Sequence, residues 1–149
     1  MSRTEPCELT VLCLLEKDGN VLLQDRAKKD WNGLTLPGGH VERGESFVQA
    51  VIREMQEESG LTILNPRLCG IKQFPIRDGR YLVFLFAASE YEGTLHSSEE
   101  GEMFWADLKT LDRTKCVKDF DLLIDMMKNP NQSEFQYLEQ DECFIPVIY

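Results

Sequence analysis

Hydrophobic and polar positions alternate along the chain with two different periods. Leu9 to Leu15 is apolar and rich in β-formers, Lys17-Asp18-Gly19-Asn20 interrupts it, and Val21 to Gln24 resumes the pattern, which predicts a hairpin. A polar stretch, Asp25 to Asp30, leads through Trp31 to Leu36 into Pro37-Gly38-Gly39, where glycine permits close backbone approach. Ser46 followed by Gln49 is a capping-box signature, and Phe47 to Ser59 holds no Gly or Pro before Gly60, so a helix is predicted over 47–59. Asn65-Pro66 marks a turn. Leu68 to Ile76 and Tyr81 to Ala88 flank Asp78-Gly79 as a second hairpin, with Pro75 near an edge or a bulge. Ser89 to Glu102 reads as a polar loop and Met103 to Ala106 as a short strand. Phe120 to Lys128 reads as a second helix, with Leu122, Leu123, Met126 and Met127 at helical spacing. From Asn131 to Tyr149 no period is sustained, and no element is predicted. Hairpins interleaved with helices point to an α/β (α+β) fold, a mixed β-sheet sandwiched between helices, in one domain over 1–149.

The first helix also carries candidate chemistry. At about 100° per residue, Glu54, Glu57 and Glu58 share one face, while Val48, Val51, Ile52 and Met55 lie on a separate apolar arc. Three like charges within a turn repel by a few tenths of a kcal/mol per adjacent pair, roughly, and only Arg53 sits beside them. A solvated acidic face is the plain reading. A hard divalent cation would instead turn that repulsion into coordination, with a carbonyl of the preceding Gly-Gly loop as a further oxygen ligand; Mg²⁺, or Mn²⁺, suits such donors.

Net charge changes the picture further. Asp and Glu number 26 against 16 Lys and Arg, a formal charge of −10, which argues against duplex nucleic acid or an anionic membrane as partner. An anionic substrate would then need a cation between it and the protein. The five cysteines show no zinc spacing and read as reduced thiols. No apolar run approaches the roughly 20 residues needed to span a bilayer, and the amino-terminal residues lack a signal-peptide core, so a cytoplasmic protein is expected.

The run Gly39-x5-Glu45-x7-Arg53-Glu54-Met55-Gln56-Glu57-Glu58-Ser59-Gly60-Leu61 resembles the Nudix box, G-x5-E-x7-R-E-U-x-E-E-x-G-U, where U is a bulky aliphatic. Met55 at the first U is the one soft departure, and Met is of similar volume. The segments from Trp31 through His40, Ile71 to Phe86 and Ser97 to Glu102 look like the MutT-type 8-oxo-dGTP diphosphatases, particularly the MutX-like group. The resemblance implies a Nudix fold and metal-dependent hydrolysis of a nucleoside diphosphate linked to another moiety. It implies Glu54, Glu57, Glu58 and the Gly38 carbonyl as metal ligands, Arg53 as the residue orienting them, and Glu45 as support for the loop-helix junction. For the general base it offers Glu54 or a loop glutamate among Glu99, Glu100 and Glu102, of which spacing favours Glu99.

For substrate binding it points to Arg26 at a phosphate, Gly39 in the loop, and Trp31, Asn32, Phe74 and Tyr81 around the base. Lys118 or Asp119 stands where MutT-like proteins read the purine edge with Asn. His40 and His96 read as loop residues. The leading expectation is Mg²⁺-dependent hydrolysis of oxidised purine nucleoside triphosphates, above all 8-oxo-dGTP, to the monophosphate and pyrophosphate. An ADP-ribose pyrophosphatase is the alternative, suggested by Pro75, and a non-catalytic nucleotide sensor the alternative of another class. The partner is the nucleoside triphosphate itself, with the protein a monomer or homodimer.

Overall fold

The computed structural model describes residues 2–26 and 33–149. In chain order the elements are β1 (Cys7–Lys17), β2 (Asn20–Arg26), β3 (Gly33–Thr35), β4 (Gly38–His40), α1 (Phe47–Ser59), β5 (Leu61–Leu64), β6 (Arg67–Ile76) and β7 (Gly79–Ala88). Then come β8 (Glu90–Gly93), β9 (Gly101–Asp107), a 3-10 turn at Arg113–Lys115, α2 (Phe120–Lys128), β10 (Glu134–Gln140) and β11 (Cys143–Ile148). The main sheet runs β11-β10-β6-β7-β1-β2-β3, with β4 also on β1 and β9 on β2. It is mixed: β1 with β7 and β6 with β10 are parallel, the other pairs antiparallel.

A strand buried on both faces reads as a continuous apolar run, and β1 shows why. Val11, Cys13 and Leu15 pack into a cluster with Val51 and Met55 of α1, while Leu14 joins one with Phe120, Leu123 and Met126 of α2. The sheet is therefore clamped between the two helices, and the expected mixed sheet between helices is what is found. Asp18 (φ 52) and Gly19 (φ 81) make the left-handed turn of the β1–β2 hairpin, which pairs only at Glu16–Val21 and Lys17–Asn20. Beyond that the strands part, β1 toward β7 and β4, β2 toward β9 and β3, and the fork opens a cleft beside β4.

Three expectations are corrected. The supposed loop at 89–102 contains β8, which pairs antiparallel with β5 directly after the Gly60 stop; four-residue strands are too short to show a period. The unassigned tail forms the β10–β11 hairpin, whose turn uses Asp141 (φ 50) and Glu142 (φ 64) instead of a glycine signal. In α1, Val48 is 45% exposed, whereas Glu58 is buried, because the helix sinks into the protein toward its carboxyl end. Pro75 does lie beyond the reach of β10, which covers β6 only from Ile71 to Gln73; the bulge falls between Leu68 and Gly70. All five cysteines are free, and among the described residues no helix is long and apolar enough to cross a membrane.

Candidate active site

Local capping fixes the acidic helix. The Ser46 hydroxyl accepts from the Gln49 amide at 2.9 Å, and Gly60, at φ 78, supplies the left-handed stop. Ahead of it, β4 is pinned to β1, with Gly38 opposite Leu12, Gly39 opposite Val11 and His40 opposite Thr10. Glycine is required here by space. A Cβ on Gly38 would overlap the Val11 carbonyl oxygen, and one on Gly39 would stand 2.5 and 2.6 Å from the two carboxylate oxygens of Glu54.

Arg53 ties loop and helix together. Its Nε and Nη2 donate to Glu45 at 2.8 and 3.0 Å, Nη1 donates to Glu54 at 3.0 Å and Glu57 at 3.2 Å, and Nη2 also donates to the His40 carbonyl at 2.9 Å. The forked guanidinium matches carboxylate geometry, as such bidentate pairs do. These bonds, with a further one from the Glu42 amide, hold the Glu45 carboxyl down at about 2 and push the Arg53 pKa up. Glu54 and Glu58 behave oppositely. Glu58 is only 7% exposed, and burial, then the charges of Glu54 and Glu100, push it up to about 7 against the Gly38 amide (3.2 Å) and Arg26. Burial likewise raises Glu54, with Arg53 opposing.

Glu45, Glu54 and Glu57 thus share the Arg53 guanidinium, Glu58 has the charge of Arg26 and the Gly38 amide to offset it, and Glu54 and Glu58 are desolvated. Among the described residues no three acidic, His or Cys side chains converge on one point: Glu54 and Glu57 turn to Arg53, and Glu58 to the Gly38 amide. At spacings i, i+3 and i+4 on one helix face, side-chain rotation alone can bring them together. An all-oxygen set with excess negative charge fits Mg²⁺ or Mn²⁺.

Alongside this strand opens a cavity of about 390 Å³, lined by Gly38, Gly39 and His40 and reaching α2. Its β2–β3 wall is polar, with Gln24, Arg26 and Thr35; its β6–β7 wall and the carboxyl-terminal hairpin supply Lys72, Phe74, Tyr81, Tyr137 and Phe144. Phe74 stacks on Tyr81 (centroids 4.7 Å apart, 14°) and Tyr137 on Phe144 (5.6 Å, 23°). An apolar cleft with few polar groups is the usual form of a site for a planar ligand.

The residues singled out from sequence separate accordingly. Arg26, Gly38, Gly39, Phe74, Tyr81 and Lys118 line the cavity, and Arg26 acts electrostatically on both Glu58 and Tyr81. Asp119 does not line it. At the left-handed start of α2 (φ 59), its carboxylate accepts from the Tyr137 hydroxyl at 2.6 Å and so braces a wall residue. Glu99 lies exposed in the Ser98–Gly101 turn, and it is the adjacent Glu100 whose charge reaches Glu58; Glu102 is exposed on β9. His40 Nε2 pairs with Glu8 at 2.5 Å, and His96 packs over Gly60. Trp31 and Asn32 lie outside the described residues.

Sequence reasoning missed Gln24, Lys72, Tyr137 and Phe144. Gln24 had no signal of its own, since it stands at the head of the polar stretch Gln24-Asp25-Arg26. It is 3% exposed, and among the described residues its Nε2 has no hydrogen-bond partner. Tyr137 and Phe144 had only their aromatic character in an unassigned tail.

Comparison with known proteins gives the family and the fold. Residues 8–124 match the NUDIX domain family. The chain is 36% identical over 121 residues to an uncharacterised Nudix hydrolase, YvcI, of Bacillus subtilis, covering 77% of this chain and 75% of that protein. It is 34% identical over 116 residues to an ADP-ribose pyrophosphatase of Methanocaldococcus jannaschii (72% and 69%). With an oxidized purine nucleoside triphosphate hydrolase of Danio rerio it shares 36% over 107 residues (68% and 67%). The crystal structure of a mutator MutT protein from Bacillus halodurans superposes with a TM-score of 0.75 at 26% identity, covering 95% of this chain and 97% of that one.

Proposed function

The chain belongs to the NUDIX family, and from that premise we propose that it is a Mg²⁺-dependent pyrophosphohydrolase of nucleoside triphosphates, with an oxidised purine of the 8-oxo-dGTP type preferred. The products are a nucleoside monophosphate and pyrophosphate. One observation carries the reading: the Glu54 carboxylate fills the space a Cβ on Gly39 would need, and Gly39 also lines the aromatic cavity, so a single strand joins the acids to the pocket. A nucleoside seated among Phe74, Tyr81 and Tyr137 directs its phosphates past Arg26 to the acidic helix. The Danio rerio relative supports this substrate class.

Glu54, Glu57, Glu58 and the Gly38 carbonyl would hold the divalent ion. Its charge there would neutralise phosphate oxygens and make an attacking water easier to deprotonate. Arg53 sets the orientation of Glu54 and Glu57, Glu45 keeps Arg53 in place, and Arg26 offers a positive charge between pocket and helix. The proton of the attacking water goes to a glutamate of the Ser98–Gly101 turn, Glu99 or its neighbour Glu100, and Glu→Gln variants of each distinguish them.

The test is Glu57→Ala. Its side chain is 57% exposed, so the fold is expected to survive. The kcat for pyrophosphate release from 8-oxo-dGTP is expected to drop by about 100-fold or more, in line with removal of an electrostatic stabiliser; undiminished turnover would overturn the assignment. The Methanocaldococcus jannaschii relative favours a second reading, hydrolysis of ADP-ribose. Product analysis decides, since ribose 5-phosphate marks ADP-ribose and pyrophosphate the triphosphate.

A further inference from the structure

Anhydride hydrolysis gives Lys72 nothing to do, yet the residue points into the cavity. It lies in the row Lys72–Val83–Thr10 that crosses β6, β7 and β1, and all three line the same space. The neighbouring row, Phe74–Tyr81, is aromatic, and β10 covers Lys72 from the other side, opposite Phe135. The ammonium stands 5.1 Å from the Tyr137 ring centroid and 5.2 Å from that of Phe135. Such cation–π contacts return part of the hydration a buried cation loses. They do not return all of it, for burial still pushes the Lys72 pKa down to about 8 against the pull of Asp119. Asp119 is meanwhile engaged by the Tyr137 hydroxyl. An ammonium has three donors and no acceptor, so a planar ligand seated here meets a group that rewards oxygen and repels N–H.

We propose that Lys72 is a specificity-determining residue: its ammonium donates to an exocyclic carbonyl oxygen of the nucleobase, so that 6-oxo purines are taken in preference to 6-amino purines. The inference rests on the proposed function in one respect, that the cavity holds a nucleoside. An 8-oxoguanine base offers carbonyls at two positions and satisfies Lys72. Adenine presents an amino group instead, leaving two donors face to face. Sites built around a buried hydrogen-bonding group reject analogues that fail to pair with it far more strongly than apolar pockets reject a methylene. The competing account is that Lys72 merely braces the Tyr137 and Phe135 rings.

The deoxyinosine and deoxyadenosine triphosphates separate these accounts, because they share sugar and phosphates and differ only along one purine edge, 6-oxo with N1–H against 6-amino with an unprotonated N1. The wild type is expected to favour dITP by about tenfold or more in kcat/KM. In Lys72→Met the ratio is expected to collapse to about threefold or less, through a higher KM for dITP with dATP little changed. Its melting temperature should be no lower than that of the wild type, since the desolvated cation is gone. Lys72→Arg, which keeps a donor, should keep the preference. A wild type that hydrolyses neither of these two nor 8-oxo-dGTP defeats the proposed function and this inference with it, whereas one that turns over 8-oxo-dGTP but neither of these two defeats the inference alone. A wild type that turns over triphosphates without preferring dITP defeats the inference alone, as does a Met variant that retains the ratio or loses both substrates equally along with stability.

Discussion

Alanine at Gly39 should damage catalysis while sparing the fold. The added Cβ would stand 2.5 and 2.6 Å from the Glu54 oxygens, where ordinary contact begins at 3.4 Å, so the carboxylate must retreat by about 1 Å. It is the free end of a flexible side chain, and the backbone can stay. The 3.0 Å bond from Arg53 Nη1 is then stretched beyond hydrogen-bonding range. Because Glu45 and Glu57 still hold Arg53, the stability lost is about 1 kcal/mol, which for a chain of this size lowers Tm by about 2 to 4 °C. Misplacing a reacting group by 1 Å costs about 100-fold in rate, and kcat should fall by that order. Gly38→Ala is the contrast: its Cβ would overlap the Val11 carbonyl oxygen and stand 2.9 Å from the Leu12 Cα, both backbone atoms of the paired strand, so it should unfold the protein or lower Tm far more. Pyrophosphate release against Mg²⁺ concentration, with thermal melts of both variants, makes the comparison. A Gly39→Ala protein with kcat within threefold of wild type and an unmoved Tm would show that Glu54 is not seated on Gly39.

Two further outcomes concern pH. The Glu58 carboxyl sits at about 7 when folded against 4.5 ordinarily, so its contribution to stability is complete below about pH 4.5 and lost as pH rises through about 7; Glu54 acts in the same direction. Coordination would relieve that repulsion, so Mg²⁺ should raise Tm more at about pH 8 than at about pH 5.5, and equal increments would contradict the coupling. Glu45 runs the other way: with its pKa held at about 2, it stabilises above pH 4.5, and that benefit vanishes as pH falls toward 2. Glu45→Gln should therefore melt below wild type near neutral pH, with the two Tm curves converging toward pH 2; parallel curves across that range would show the Arg53 pair to be inert.

What could be read in advance divides along a physical line. Helix α1 was legible to the residue because its signals are local: a hydroxyl at Ser46, a glycine at Gly60 and an uninterrupted run between them. Strand β1 announced its central place by being apolar on both faces. Strands β5 and β8 could not be seen, since each is four residues long and gains its stability from a partner about thirty residues away. The helical wheel put Glu57 and Glu58 side by side, yet one is exposed and the other buried, a difference decided by where β4 meets the helix and by no feature of the helix itself. For the same reason Lys72, one of two adjacent polar residues between Ile71 and Phe74, carries no local mark of burial, which comes from β10 laid over it.

Gln24 carries a consequence for anyone trying to toughen this molecule. A donor sealed from water without an acceptor costs about 1 to 3 kcal/mol, so Leu or Met there should raise the melting point, and a heat-challenge screen blind to turnover would enrich such changes early.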